Sequence, residues 1–300
     1  MPEFVLAADI GGTNIRVARV SHAGRISHRL ETPAPAEGGM SVVNALLELL
    51  DRVPQKGVRA LGVGVPGLAY RNGDVWAPNL RNWKRMPLGK KLRERLNMPV
   101  VIESDRNAFV VGEAWKGVAR RCRDVVFVAV GTGVGAGILM DGHLVRGHDE
   151  LAGCVGWMAV RDKFNPQYAR TGCLEAHAAG IGIAAKASRR FKRKITAREV
   201  AMLAANGDER AQKLLAEAGH YLGLGLANVV STLNPEIIVL GGGITESGEY
   251  MLAAARETMA RWAQPIAMRQ TRVLCSRLGG AASLLGAAKL AFENTKGAES

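Results

Sequence analysis

The apolar pattern runs through the chain twice, and both passes open the same way. Phe4 to Ile10 is an apolar run ended by Gly11-Gly12, and Ile15 to Val20 follows at once, with Ala23-Gly24 as the next turn. Two apolar runs joined by a Gly-rich bend predict a hairpin. Val42, Val43, Leu46, Leu47 and Leu50 repeat at helical spacing, so Ser41 to Val53 is expected to be a helix. Leu61 to Val65 reads as a short strand stopped by Pro66-Gly67, Leu88 to Leu96 as a basic amphipathic helix, Val100 to Ile102 as a strand and Ala108 to Val118 as a helix. The pattern then restarts. Val125 to Val130 predicts a buried strand, Gly131 to Gly137 a glycine loop, and Ile138–Met140, Asp141-Gly142 and His143–Val145 a strand, turn and strand. Helices are expected over Glu175–Ala187, Ala197–Ala205, Glu209–Leu233, Gly248–Trp262 and Ala281–Phe292. Strands are expected at Ile237–Leu240 and Arg272–Leu274, with a frayed tail from Asn294 to Ser300. The echo of strand, glycine loop and strand predicts two related halves, each opening with a phosphate-facing hairpin.

Composition narrows the class. The 300 residues are 48% apolar but only 5% aromatic, a mix that suits close helix–sheet packing in an α/β protein. No run of 18 apolar residues exists, so no membrane span is expected. The opening MPEFVLAADIGG has an acidic residue and no basic segment before its apolar run, and reads as a first strand, not a signal peptide. The cysteines Cys122, Cys154, Cys173 and Cys275 are scattered, which fits a reduced, cytoplasmic setting. The net charge of +13 raises a nucleic-acid partner. The densest basic stretch, Lys186 to Lys194, is expected to be a solvated helix end and turn. No zinc-finger, RNA-binding or helix-turn-helix pattern accompanies it, so no nucleic acid is expected.

Four motifs carry candidate chemistry. Asp9-Ile-Gly11-Gly12-Thr13-Asn14 puts a carboxylate at a strand end beside glycines that let backbone N–H groups face an anion; an ordinary hairpin turn is the plainer alternative. An Asp beside phosphates acts chiefly through Mg²⁺. The loop Gly131-Thr132-Gly133 to Gly137 contains G-x-G-x-x-A, but a turn follows within five residues where a dinucleotide fold needs a helix, so a hairpin is favoured. Gly241-Gly242-Gly243 closes a strand and allows a flat ring to lie against backbone, or is a flexible turn. Glu103-Ser104-Asp105-Arg106-Asn107 lies between strand and helix. Asp105 there is either a helix cap or the general base of a phosphoryl transfer. Two glycine hairpins, a third glycine turn and that carboxylate are together the parts of a phosphotransferase cleft.

In this order, DIGGTNIR (9–16), GVGVPG (62–67), APNLRNW (77–83), ESDRNAFVVGE (103–113), VGTGVGAG (130–137), TGCLE (171–175) and IIVLGGG (237–243) resemble the ROK family of bacterial sugar kinases. The resemblance implies a two-domain actin-like ATPase (ribonuclease H-like) fold with a cleft between the domains. A sugar and phosphate domain would span 1–118 and be completed by a C-terminal helix at 281–300; a nucleotide-binding and dimerisation domain would span 119–280. It implies ATP with Mg²⁺, phosphorylation of a hydroxyl on a sugar or polyol, and a homodimer or larger assembly. By position, Asp9 would hold the metal through water, and Gly11, Gly12, Thr13 and Asn14 would meet phosphate, as would Gly131, Thr132 and Gly133 from the other side. Gly241 to Gly243 would border adenosine. Gly67, Asn79, Ser104, Asp105, Cys154, Trp157 and Glu175 would face the sugar.

The chain departs from the family pattern in three places. Ser104-Asp105-Arg106-Asn107 stands where the family reads Asn-Asp-Ala-Asn. Ala152-Gly153-Cys154-Val155-Gly156-Trp157 stands for Ala-Gly-Glu-Ile-Gly-His, whose Glu and His contact sugar hydroxyls. At the family's zinc positions the chain has Trp157, Pro166, Tyr168 and Cys173, so no structural zinc is expected, and the loop Arg161–Thr171 should be held by packing, with Phe164 and Tyr168 as candidates. A non-catalytic sugar- or nucleotide-binding protein is the alternative. A sugar-responsive repressor would need a DNA-binding domain, and eight residues precede Asp9.

Overall fold

The computed structural model describes residues 3–246 and 249–297. Its first pass is β1 (Phe4–Ile10), β2 (Asn14–Ser21), β3 (Ile26–Pro33), α1 (Met40–Asp51), β4 (Val58–Val65), β5 (Leu68–Ala69), β6 (Val75–Trp76), α2 (Leu88–Leu96), β7 (Val100–Ser104) and α3 (Asp105–Lys116). The second opens with β8 (Val125–Val130), β9 (Val134–Met140) and β10 (His143–Leu144). The helices α4 (Tyr168–Thr171), α5 (Cys173–Ala178), α6 (Gly180–Phe191), α7 (Ala197–Ala205) and α8 (Glu209–Leu233) follow. It closes with β11 (Ile237–Gly241), α9 (Glu249–Trp262), α10 (Pro265–Gln270), β12 (Arg272–Cys275) and α11 (Ala281–Gly297).

Two five-stranded sheets result, ordered β3-β2-β1-β4-β7 and β10-β9-β8-β11-β12. Each begins with an antiparallel meander and adds two parallel strands beside its first, so the halves share one plan. Helices cover both faces, and the central strands are therefore apolar on both sides. On β1, Leu6, Ala8 and Ile10 join α1 and α2 in one core, while Val5 and Ala7 pack on Leu284, Ala288 and Phe292 of α11. On β8, Val126, Val128 and Val130 join the core of α5 to α9, while Val125 and Phe127 meet Val110 and Val111 of α3. The helices α3 and α11 cross closely: a β-carbon at Gly112 would strike the Ala282 carbonyl, and one at Gly286 the Ala108 carbonyl.

Several boundaries differ from the sequence-based expectation. The polar, half-exposed strand β3 and the short β5 and β6 carry too little apolar signal to be read. The strand β7 runs on to Ser104, and α3 starts at Asp105, not Ala108. The expected helix Glu175–Ala187 is two helices, broken at Ala179, which is extended (φ −85°, ψ 164°). The cause is tertiary: the Gly180 N–H donates to the Gly131 carbonyl at 2.8 Å, and Ile181 N–H to Thr132 at 3.4 Å. The helix α11 extends to Gly297, so Asn294 to Gly297 are helical and not a frayed tail. Gly248, the expected start of α9, lies outside the described residues.

Candidate active site

Both glycine hairpins turn their tips into open space. A β-carbon at Gly12 or Gly131 would meet nothing within 4 Å, and Thr13 and Thr132 are exposed. The first turn is closed by Gly11 N–H to the Asn14 carbonyl at 2.8 Å, the second by Gly131 N–H to Gly133 at 2.9 Å. The break at Ala179 brings the N-terminus of α6 against the second turn, where its dipole favours an anion. Beside it lies a cavity of about 540 Å³ lined by Gly131, Thr132, Ile181, Lys194, Thr196 and Gly243, among others. That volume suits a nucleoside-sized ligand.

The third glycine turn divides its roles. Gly243 lines the cavity. Gly241 is buried, and a β-carbon there would strike the Phe127 ring; Gly242 has φ +82°. Only the last of the three therefore reaches the cavity as a lining residue. The residues from Gly180 to Ala201 that complete it were missed as site residues, because their pattern reads only as amphipathic helix.

Asp9 ends β1 almost fully buried. Its Oδ1 accepts from Ser283 Oγ at 2.6 Å and its Oδ2 from Arg16 Nη1 at 3.3 Å. Burial raises its pKa, against the lowering effect of those two partners. Asp105 is the first residue of α3, and its Oδ1 accepts its neighbour's backbone N–H, Arg106, at 2.7 Å. Burial, and then the charge of Asp9, push its pKa up to about 6; Arg106 acts the other way. The cap of α3 is Ser104, whose Oγ accepts from Asn107 N–H at 3.4 Å. The cap alternative therefore falls to Ser104, 3% exposed, and not to Asp105.

Glu103, two residues before Asp105, was not singled out from sequence. It is buried and accepts from Ser104 N–H and Asn107 Nδ2 at 2.9 Å each, and from Arg146 Nη2 at 2.9 Å. It ties the start of α3 to the loop after β10. Arg146→Ala would leave this carboxylate short of donors, and a loss of about 1–3 kcal/mol of stability in denaturant titration is expected.

On the remaining wall, Glu175 Oε2 accepts from Val134 N–H at 2.8 Å, and burial raises its pKa. A β-carbon at Gly133 or Gly156 would crowd Glu175. Cys154 precedes a 3₁₀ turn (Val155–Trp157), and its Sγ accepts from Arg106 Nη1 at 3.4 Å. Trp157 is 56% exposed, so its ring does not turn into the core. Gly67 (φ +98°) sits against the Trp76 carbonyl, and Asn79 stands exposed on the loop that follows. Asp9 and Arg106 thus act on the Asp105 charge, Arg106 meets Cys154, and Glu175 lies against Gly133 and Gly156.

The loop with the altered zinc positions is held by a polar and aromatic cluster. Tyr168 Oη lies 2.7 Å from His177 Nε2, Lys186 Nζ lies 3.1 Å from His177 Nδ1, and the His177 and Tyr221 rings are 4.2 Å apart. Lys only donates, so Nδ1 accepts and Nε2–H donates to Tyr168. Phe164 touches Tyr168 edge-on but is itself 74% exposed. Burial, followed by Lys186 and Arg161, lowers the His177 pKa from 6.5 to about 4. The unfolded chain therefore binds the extra proton first. His177 contributes stability that is complete above pH 6.5 and is lost as pH falls toward 4. His177→Gln is expected to flatten the melting temperature across that window.

A family model described as ROK family matches residues 5–294. The chain is 30% identical to a glucokinase from Thermotoga maritima, over 99% of this chain and 100% of that protein. It superposes on a ROK hexokinase from Thermus thermophilus with a TM-score of 0.88 and 32% identity, covering 98% of this chain and 99% of that one. A glucokinase from Streptomyces griseus in complex with glucose and AMPPNP gives a TM-score of 0.81 at 30% identity, over 97% and 99% of the two chains.

Proposed function

The chain belongs to the ROK family, and from that footing we propose that its cleft transfers the γ-phosphoryl group of ATP to a hydroxyl of a sugar or polyol, with Asp105 as general base. Sugar kinase activity is the function of this enzyme; the roles of single residues are our reading of the site. One observation carries that reading: Asp105, half-buried at the start of α3 and under the charge of Asp9, has its pKa raised to about 6, close to the operating range of a base at neutral pH. ATP would place adenosine in the cavity beside Gly243 and its phosphates between Gly12–Thr13 and Thr132–Gly133. The α6 N-terminus would face them. The acceptor would lie between Asp105, Glu175 and the Gly67–Asn79 loops.

Mg²⁺ fits the carboxylate pair. The charge of Asp9 raises the proton affinity of Asp105, and a cation near Asp9 would relieve that repulsion. Among the described residues no group of three or more His, Cys, Asp or Glu could hold a metal, so such a cation would draw most of its ligands from phosphate and water. When bound, it neutralises phosphate oxygens during transfer. Ser283 and Arg16 hold the Asp9 carboxylate toward that place. Asp105 accepts the acceptor's hydroxyl proton as the oxygen attacks phosphorus.

We read the domains as 1–118 with 281–300, and 119–280, forming a homodimer or larger assembly in the cytoplasm, with no nucleic-acid partner. Among the described residues no helix is long and apolar enough to cross a membrane. The loop before α5 needs no zinc in this reading. Metal analysis of protein purified with a mild chelator should find no stoichiometric zinc; a resistant equivalent would contradict it. ATP turnover with Mg²⁺ against a panel of neutral sugars, polyols and sugar acids tests the whole proposal. Binding without transfer to any acceptor would point to the non-catalytic reading.

A further inference from the structure

The guanidinium of Arg106, the residue after Asp105, forms no ion pair among the described residues and bonds only to the Cys154 thiol, and we propose that it binds a carboxylate carried by the acceptor, which makes the preferred acceptor a sugar acid. This rests on the kinase reading above and narrows its substrate class.

The placement comes from β9. Val134, Ala136 and Ile138 point into the core of the second half. The alternate residues Gly135 and Gly137 therefore share the other face, and Gly133 lies in the turn just before the strand. A β-carbon at Gly133 would crowd the Glu175 carboxylate, and one at Gly135 would lie 2.7 Å from Arg106 Cδ; one at Gly137 would strike the Arg106 carbonyl. Glu175 thus lies against the hairpin turn, and Arg106 against the strand that follows it. The tip of this hairpin, Gly131 to Gly133, borders the nucleotide cavity. Arg106 lies further from that tip than Glu175 does. In our reading of the site, that sets it on the acceptor side.

The partners of Arg106 leave it unmatched. Its side chain makes one hydrogen bond among the described residues, Nη1 to Cys154 Sγ at 3.4 Å. A thiol is neutral and a weak acceptor, whereas a guanidinium carries five N–H donors in a planar fork. None of the neighbouring carboxylates forms an ion pair with it, although its charge lowers the Asp105 pKa. Glu175 Oε2 holds Val134 N–H, Glu103 holds Arg146, and Asp105 Oδ1 holds the Arg106 backbone. A half-buried guanidinium bonded only to a thiol is matched best by a carboxylate, which takes two parallel N–H bonds. An acceptor with its reacting hydroxyl at Asp105, its carboxylate at Arg106 and another hydroxyl at Glu175 uses every polar group on this wall. Cys154 leaves space where a larger acidic residue would close the fork itself.

The test compares each sugar with its acid, as glucose with glucuronate and gluconate, and galactose with galacturonate. It uses the full chain with Mg²⁺-ATP, and calorimetric binding of the same compounds without turnover. The wild-type protein should prefer an acid over its neutral parent by about 100-fold or more in kcat/KM, expressed mainly in KM. Arg106→Gln should lower that selectivity ratio by about 100-fold, and Arg106→Lys should keep part of it. Circular dichroism checks that each variant is folded, and if neither folds the wild-type preference decides alone. A wild-type preference for the neutral sugars overturns the inference. So does an unchanged ratio in Arg106→Gln, or a rise in KM for ATP in its place, which would assign Arg106 to the transferred phosphoryl group. Transfer to neutral sugars only would sink this inference and spare the kinase reading. Absence of transfer to any acceptor would count against the kinase reading, and the calorimetric preference would still decide the role of Arg106.

Discussion

Asp105→Asn is expected to lower kcat by at least about 100-fold, the low end for a positioned general base, while the protein stays folded and becomes more stable at neutral pH. The loss follows from the base's role: Asn keeps the shape of the side chain but cannot take the proton. Folding survives because the cap of α3 is Ser104, not residue 105. The gain in stability follows from the pKa. An unfolded Asp titrates near 3.8 and Asp105 in the fold near 6, so the folded state holds its proton more tightly. The stability this gives is complete below pH 3.8 and is lost as pH rises through 6. Above that, the parent carries an ionised carboxylate in a buried site near Asp9, and the Asn variant does not. The two melting temperatures should therefore separate above pH 6 and converge at low pH. Turnover of the parent should climb through the same pH, because only the ionised form accepts a proton. Near-normal turnover in the variant, or a flat pH profile, would remove Asp105 from the chemistry.

Glucose is expected to be a poor acceptor. The resemblance places a Glu and a His against sugar hydroxyls where this chain has Cys154 and Trp157. A weakly bonding thiol and a mostly apolar ring replace two strong partners. The structure leaves the ring of Trp157 exposed and gives the Cys154 thiol to Arg106, so neither supplies the missing bonds. A hydroxyl buried without a partner costs about 1–3 kcal/mol. Two such losses weaken binding by roughly 30-fold to well over 1,000-fold, taking 1.4 kcal/mol as tenfold. Steady-state kinetics over glucose, mannose, fructose, N-acetylhexosamines and inositols measure this. Restoring the pair as Cys154→Glu with Trp157→His should raise kcat/KM for glucose. If glucose already gives the best kcat/KM of the panel, with KM below about 1 mM, this account of the wall fails.

The sequence by itself determined the repeated plan and the chemistry at strand ends. Strands β1, β8 and β11 and helices α7 and α8 are local signals, because buried strands and amphipathic helices carry their period in their own residues. Asp9, Asp105 and the two glycine hairpins were legible for the same reason, since a carboxylate or glycine at a strand end is unusual within an apolar run. What only the tertiary structure decided involves partners distant in sequence. The break at Ala179 exists because Gly131 takes the Gly180 N–H across about 50 residues, and it creates the wall of the nucleotide cavity. The Glu103–Arg146 pair and the Tyr168–His177–Lys186 cluster join residues whose types alone say nothing of each other. Ser104 and Asp105 are neighbours of similar capping strength, and which of them caps α3 depends on where β7 ends. Arg106 reads as one more surface cation until Gly135, with no side chain of its own, lets it lie across the strand beside Cys154. A periodic pattern fixes which face of an element is apolar. It leaves open which element that face will meet, and the site is made at those meetings.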